Sequence, residues 1–307
     1  MPFALEGVTV FERGWLSSNN ILLHGRGAEA ATLIDSSHCL HAEQTVALVR
    51  QALHRNATLG RIVNTHLHSD HCGGNAALQR AFGARLVIPP GEADAIARWD
   101  EDALSYRATG QRIERFAHDA LLQPGESLTV GRRTWQALAT PGHDPNALML
   151  FDANDGVLIS ADALWENGFG VVFPELDGER AFDDVAAVFA LIERLAPRLV
   201  IPGHGAPFVD ASGALQGARA RLAAFVAAPA RHSRHGAKVL LKYHLLEEQQ
   251  QALPDLQAWW SSVPLVHRLW QRLQRPTGSM PAWCEQLLSE LVTSGALRID
   301  GQRVTNE

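Results

Sequence analysis

The segment Thr65-His66-Leu67-His68-Ser69-Asp70-His71 puts four metal-ligating side chains within six residues, in the order His-x-His-x-Asp-His. Neutral imidazole and carboxylate are the donors a borderline-soft divalent ion such as Zn²⁺ prefers, and structural histidines do not usually cluster at this spacing. The run Arg61-Ile62-Val63-Asn64-Thr65 reads as the strand that delivers them, with Gly73-Gly74 following. Three more strand-like pieces end in a ligand type: Thr134 to His143 through Thr140-Pro141-Gly142, Leu158 to Asp162, and Arg198 to His204. Each piece alone reads as a turn. Together they set five His and two Asp at the ends of four strand-like segments, where α/β folds concentrate function. Seven donors exceed what one tetrahedral ion takes and suit two ions sharing a bridge.

In this order and with these partners, the ligand motifs make the chain resemble a metallo-β-lactamase-fold hydrolase over roughly its first 228 residues. The resemblance implies an αββα sandwich with a dinuclear site at one edge. It also implies roles: His66, His68 and His143 hold the first metal, Asp70, His71 and His204 the second, and Asp162 bridges the two. Two divalent cations, Zn²⁺ or else Fe²⁺ or Mn²⁺, would lower the pKa of a shared water until it serves as hydroxide near neutral pH. No serine or cysteine nucleophile is then required. Asp70 would ligate, orient that hydroxide and carry a proton toward the leaving group.

The loop after Asp162, Ala163-Leu164-Trp165-Glu166-Asn167-Gly168-Phe169-Gly170, resembles the Asp-x-Leu-aromatic-x-x-Gly loop of the glyoxalase II-like branch. A loop leaving a ligand runs along the pocket, so Trp165, Asn167 and Phe169 are expected to meet substrate, with Tyr106 from the polar 91–116 segment. The expected reaction is hydrolysis of a small thioester, ester or lactone. The alternative is a phosphodiesterase or ribonuclease, since winged-helix-bearing relatives include such enzymes. Cys72 beside His71 reads as a small apolar filler, and Cys39 as structural.

The elements that must position these residues alternate. Strands are expected at 8–11, within 21–34 and at 85–89, and helices at 42–53, 74–82 and 183–196. That alternation indicates a layered α/β fold. An Ala-rich helix from Ala211 ends at Pro229. The basic run Arg231-His232-Ser233-Arg234-His235 and Gly236 read as a solvated linker and break opening a second domain, 229–307. Helices at 237–250, 256–273 and 281–294 and an Asp300-Gly301 hairpin then make a small winged-helix-like C-terminal domain.

A chain of 307 residues with 46% hydrophobic and 20% charged content suits one large and one small soluble globular domain. Net charge is −6, while residues 229–307 carry nine Arg/Lys against seven Asp/Glu, so the catalytic part is the acidic part. An acidic catalytic domain and the acidic stretch Trp283–Glu290 argue against nucleic acid as a partner and for a small-molecule substrate. Three cysteines form no disulfide framework, no apolar run reaches membrane-span length, and Met1–Glu6 lacks a basic signal-peptide start. A cytoplasmic location is expected. Nothing marks an oligomeric interface, and the tail could support a homodimer.

Overall fold

The computed structural model describes residues 5–54 and 56–307; the first four residues, on which the reading of the chain start partly rests, lie outside the described residues. Two sheets pack face to face. The first has six strands in chain order: Val8–Phe11, Asn20–Leu23, Ala31–Ile34, Leu59–Val63, Arg85–Ile88 and Ala120–Leu121. Its last four strands are mutually parallel. The second sheet has five, in spatial order Leu199–Pro202, Val157–Ala161, Leu148–Asp152, Arg133–Ala139 and Ser127–Val130. Only its first pair is parallel.

Period-two alternation sorts the strand side chains between layers. Ile21, Leu23, Ile34, Val63 and Val87 meet Trp135, Ala137, Leu148, Leu150, Ile159 and Ile201 between the sheets. Their neighbours Leu22, Leu33, Ile62 and Leu86 point the other way, against Val46 and Val49 of helix Ala42–Ala52 and Leu78 of helix Asn75–Phe82. On the opposite outer face, Met149, Phe151, Leu158 and Val200 pack on helices Phe182–Leu195 and Ala211–Ala227. This is an αββα sandwich.

The expected linker is not a linker. One helix runs Pro229–Glu248 through the whole basic stretch, and His232, Ser233 and Gly236 are buried. Gly236 lies within it and does not break it, and a Cβ there would lie 2.6 Å from Leu176 Cδ1. Arg234 turns outward to Glu290. The expected 256–273 helix is two helices, Leu253–Trp260 and Pro264–Arg272, since Pro264 cannot donate the backbone hydrogen bond a continuing helix needs. Helix Met280–Thr293 precedes strands Leu297–Asp300 and Arg303–Asn306, which pair as a hairpin extended by Gln250–Ala252. Val171 and Leu176 of the sandwich share the tail's core with Leu240, Leu241, Trp260 and Trp283.

Candidate metal centre

The parallel strands end on one side of the molecule, and the donor residues follow them. Strand Leu59–Val63 leads into the 66–71 segment, Val157–Ala161 into Asp162, and Leu199–Pro202 into His204. Strand Arg133–Ala139 of the same second sheet leads into His143. Ala161 adopts a left-handed backbone (φ 47°), which turns the chain sharply as it leaves the strand and aims Asp162 inward. Two groups form, His66 with His68 and His143, and Asp70 with His71, Asp162 and His204; within each group one donor atom per residue lies within 4.8 Å of the others.

Outer hydrogen bonds fix which ring nitrogen faces inward on His71, His143 and His66, as ligating histidines require. His71 Nδ1 donates to Asp35 Oδ2 at 2.8 Å, leaving its buried Nε2 without any hydrogen-bond partner. His143 Nδ1 donates to the Val171 carbonyl at 2.6 Å, leaving Nε2 free. Thr65 Oγ1 donates to Asp35 Oδ2 and so accepts from His66 Nδ1 at 3.1 Å, leaving His66 Nε2 inward. His68 presents Nδ1, which lies 3.1 Å from His66 Nε2 and 2.8 Å from His143 Nε2. A single proton on His68 Nδ1 can satisfy one of these two contacts, so without a cation at least one pair of ring nitrogens meets lone pair to lone pair. That crowding, with the orphaned His71 Nε2, fits a divalent metal at each group.

Asp162 stands between the groups. Its Oδ1 lies 3.3 Å from His71 Nε2, and its Oδ2 lies 3.4 Å from His143 Nε2 and 3.9 Å from His204 Nε2. Asp70 Oδ2 is 3.0 Å from His204 Nε2 and 3.7 Å from His71 Nε2. Close backbone approach makes room for this. A Cβ on Gly203 would sit 2.2 Å from Asp162 Oδ1, and one on Gly170 would sit 2.3 Å from His143 Nδ1.

The electrostatics divide along the same line. Burial, then the neighbouring His71, His68 and His143, hold His66 well below its ordinary value. Burial and His143 bring His68 down to about 3. Burial works against ionising Asp162 and Asp70, yet His71 and His204 hold Asp162 well below the carboxylate range and Asp70 at about 2. His71 moves upward despite burial, because Asp162, Asp35 and Asp70 surround it. A field that favours a proton on His71 also favours a cation at its Nε2.

The other expected residues divide. Trp165 is partly exposed; its indole Nε1 donates to Asp162 Oδ1 at 3.2 Å and its ring meets His204 edge-on at 5.4 Å. Asn167 is exposed. Phe169 does not face the pocket: it is buried against Phe189 and Phe225 in the outer core of the second sheet. Tyr106 likewise lies in the core of the first, its hydroxyl donating to the Leu67 carbonyl at 2.8 Å. Both were expected at the substrate, and in both the apolar ring found a better place in a packed layer. Cys72 is fully buried beside that same hydroxyl, 3.5 Å from it.

Other contributors stand out only in three dimensions. Asp35 ends strand Ala31–Ile34, as the ligands end theirs, and binds Thr65 N at 2.8 Å as well as His71. Helix Pro229–Glu248 reaches the 66–71 segment and the loop that follows Asp162. Tyr243 OH pairs with Ser69 Oγ at 2.8 Å, and Val172 N donates to His232 Nε2 at 3.2 Å, next to the carbonyl that orients His143. Phe173 packs on His68 and His143 at 4.9 and 5.6 Å between ring centroids.

The profile of the metallo-beta-lactamase superfamily matches residues 13–204, the span that carries every one of these donors. The chain belongs to the metallo-beta-lactamase superfamily. Among curated relatives, a hydroxyacylglutathione hydrolase of Bartonella quintana (strain Toulouse) is 29% identical over 153 residues, covering 50% of this chain and 51% of the relative. One from Bradyrhizobium sp. (strain ORS 278) is 33% identical over 160 residues, 52% of each. The chain thus spans about half the length of the curated relatives it matches. A metallo-beta-lactamase family protein from Thermus thermophilus shares the fold along 99% of this chain and 100% of its own, at TM-score 0.59 and 20% identity. A Cronobacter sakazakii metallo-beta-lactamase covers 75% and 95% at TM-score 0.60 and 23% identity. No described helix is long and apolar enough to cross a membrane.

Proposed function

We propose that the protein is a dinuclear metal-dependent hydrolase acting on a small thioester, with ester or lactone as its nearest neighbours. The observation that carries this reading is the placement of the two Asp162 oxygens toward two separate donor groups, 3.3 Å from His71 and 3.4 Å from His143. Two divalent cations held there, Zn²⁺ first among them, would supply Lewis acidity and an activated water for attack on a carbonyl. His66, His68 and His143 would hold one ion, Asp70, His71 and His204 the other, with Asp162 shared. Asp70, which lies 3.0 Å from His204, would orient the attacking water and pass its proton toward the departing thiolate. Trp165 and Asn167 flank the substrate.

The thioester choice is supported by the hydroxyacylglutathione hydrolases among the relatives and by the surrounding cations. Three arginines on segments next to the centre are already engaged: Arg13 by Asn20, Ser37, Thr45 and Gln44, Arg112 by Glu248, and Arg221 by His235. Arg13, with four side-chain oxygens around its guanidinium, is not free to grip a phosphate. Parallel kcat/KM measurements on a short acyl thioester and an activated phosphodiester, with the metal-loaded protein, test this. A preference for the thioester of at least about a hundredfold is expected. A preference for the phosphodiester overturns it.

A further inference from the structure

Trp15 is 59% exposed although it is the largest side-chain type, and it sits on the metal centre itself. Its ring lies nearly parallel to His204, at 13° and 5.4 Å between centroids, so one indole face is covered and the other looks outward. Trp165 meets it edge-on at 5.4 Å, and that indole is in turn tied to Asp162. The loop that carries Trp15 is anchored on both sides of the second donor group. Ser18 N donates to the Asp70 carbonyl at 3.0 Å and Asn19 N to the Gly203 carbonyl at 2.7 Å. Asn19 Nδ2 adds bonds to the Pro202 and Gly205 carbonyls at 2.9 and 2.7 Å, and Ser17 Oγ pairs with His41 Nδ1 at 2.8 Å. A loop held this firmly does not simply leave a tryptophan loose in water.

We propose that the outward face of Trp15 is a substrate subsite that stacks a flat, apolar group attached next to the bond being cleaved. Leaving such a surface in water is unfavourable, and an aromatic ring offers its face to another ring or planar apolar group in offset or edge-on contact. Its position decides the occupant. Trp15 lies against His204 of the second donor group, whereas Phe173 packs on His68 and His143 of the first, so a substrate group next to His204 meets the Trp15 ring. The engagement of Arg13, two residues away, by four side-chain oxygens leaves the subsite without a free guanidinium and favours an uncharged group. The planar group comes from either the acyl or the thiol part of the substrate.

This subsite rests on the thioester reading for its chemistry, so the deciding measurement uses no turnover. Calorimetric titration of the metal-loaded full chain with 4-phenylbutanoate and with butanoate compares two carboxylates that differ only by the ring. The phenyl compound should bind about tenfold more tightly. Trp15→Ala should abolish that preference at unchanged metal content, and Trp15→Phe, which keeps a ring on His204, should retain part of it. No preference in the natural protein, no binding of either probe, or a preference that survives in both variants would overturn the subsite. Loss of metal in Trp15→Ala shifts the decision to Trp15→Phe, where a full tenfold preference overturns it and a reduced one supports it. KM for 4-phenylbutanoyl esters of a small thiol, against butanoyl esters of phenylmethanethiol, then tells whether the acyl or the thiol part lies on the ring. A ring preference in binding with no thioester turnover would leave the subsite standing and remove the thioester reading alone.

Discussion

The two donor groups lie side by side and are built on opposite principles. His66, His68 and His143 offer three neutral nitrogens, and the bond that orients His143 comes from a backbone carbonyl, Val171 O. The other group mixes two imidazoles with Asp70 and Asp162 and is backed by a third carboxylate, Asp35, behind His71. His66 and His68, both far below their ordinary pKa, repel protons, while His71 among three carboxylates attracts them. By donor type the first group would favour a borderline-soft ion, and the second, richer in charge, would accept harder ions such as Mn²⁺ or Fe²⁺.

Removing the shared carboxylate would erase the contrast. Asp162→Ala is expected to lower kcat/KM by about a thousandfold and to reduce bound metal, read by elemental analysis, with the circular dichroism spectrum unchanged. Full occupancy at normal rate would end the bridging assignment. Gly170→Ala attacks the imidazole group alone, since its new Cβ would press on His143 Nδ1. A loss of about a hundredfold in kcat/KM is expected, with one ion still bound. Asp35→Asn attacks the mixed group alone through His71. Chelator competition should show one of the two ions weakened about 10- to 100-fold, with an altered visible spectrum in the cobalt-substituted protein. If both ions weaken equally in the last two variants, the groups are not independent.

The smallest effect concerns the tail's hold on the sandwich. His38 is fully buried and pairs with Glu247 at 3.0 Å. Burial alone would lower its pKa, but bonds from Cys39 and Glu247 push it up to about 9. A folded value above the unfolded one means that the proton's stabilisation is complete below about pH 6.5 and is lost as pH rises through 9. The unfolding free energy from denaturant titration should therefore fall by on the order of 2 kcal/mol across that window. Glu247→Gln should flatten the slope, and an unchanged slope would assign it to another group.

Much of the centre was legible because its residues are rare types at tight spacing or at strand ends. His66 to His71 needed only the sequence, and His143, Asp162 and His204 needed only the rule that strand ends carry function. Asp35 was not legible in the same way. It ends a strand too, but a lone carboxylate 36 positions from His71 carries no spacing signal. Trp15 sat in a loop whose anchoring exists only after folding. Residues 231–235 misled because Arg and His look solvated in one dimension, whereas helix geometry buries His232 and sends Arg234 outward. Phe169 was placed by proximity to Asp162 along the chain and Tyr106 by the family resemblance of its segment, and packing overrode both.

The donors are strung from residue 66 to residue 204 on four strand ends of two different sheets. An unfolded chain can offer an ion little more than the 66–71 cluster, so tight binding and the finished sandwich arrive together. Free metal concentration would then act as a thermostat on the native population: each tenfold excess over the dissociation constant would raise the unfolding free energy by about 1.4 kcal/mol per site.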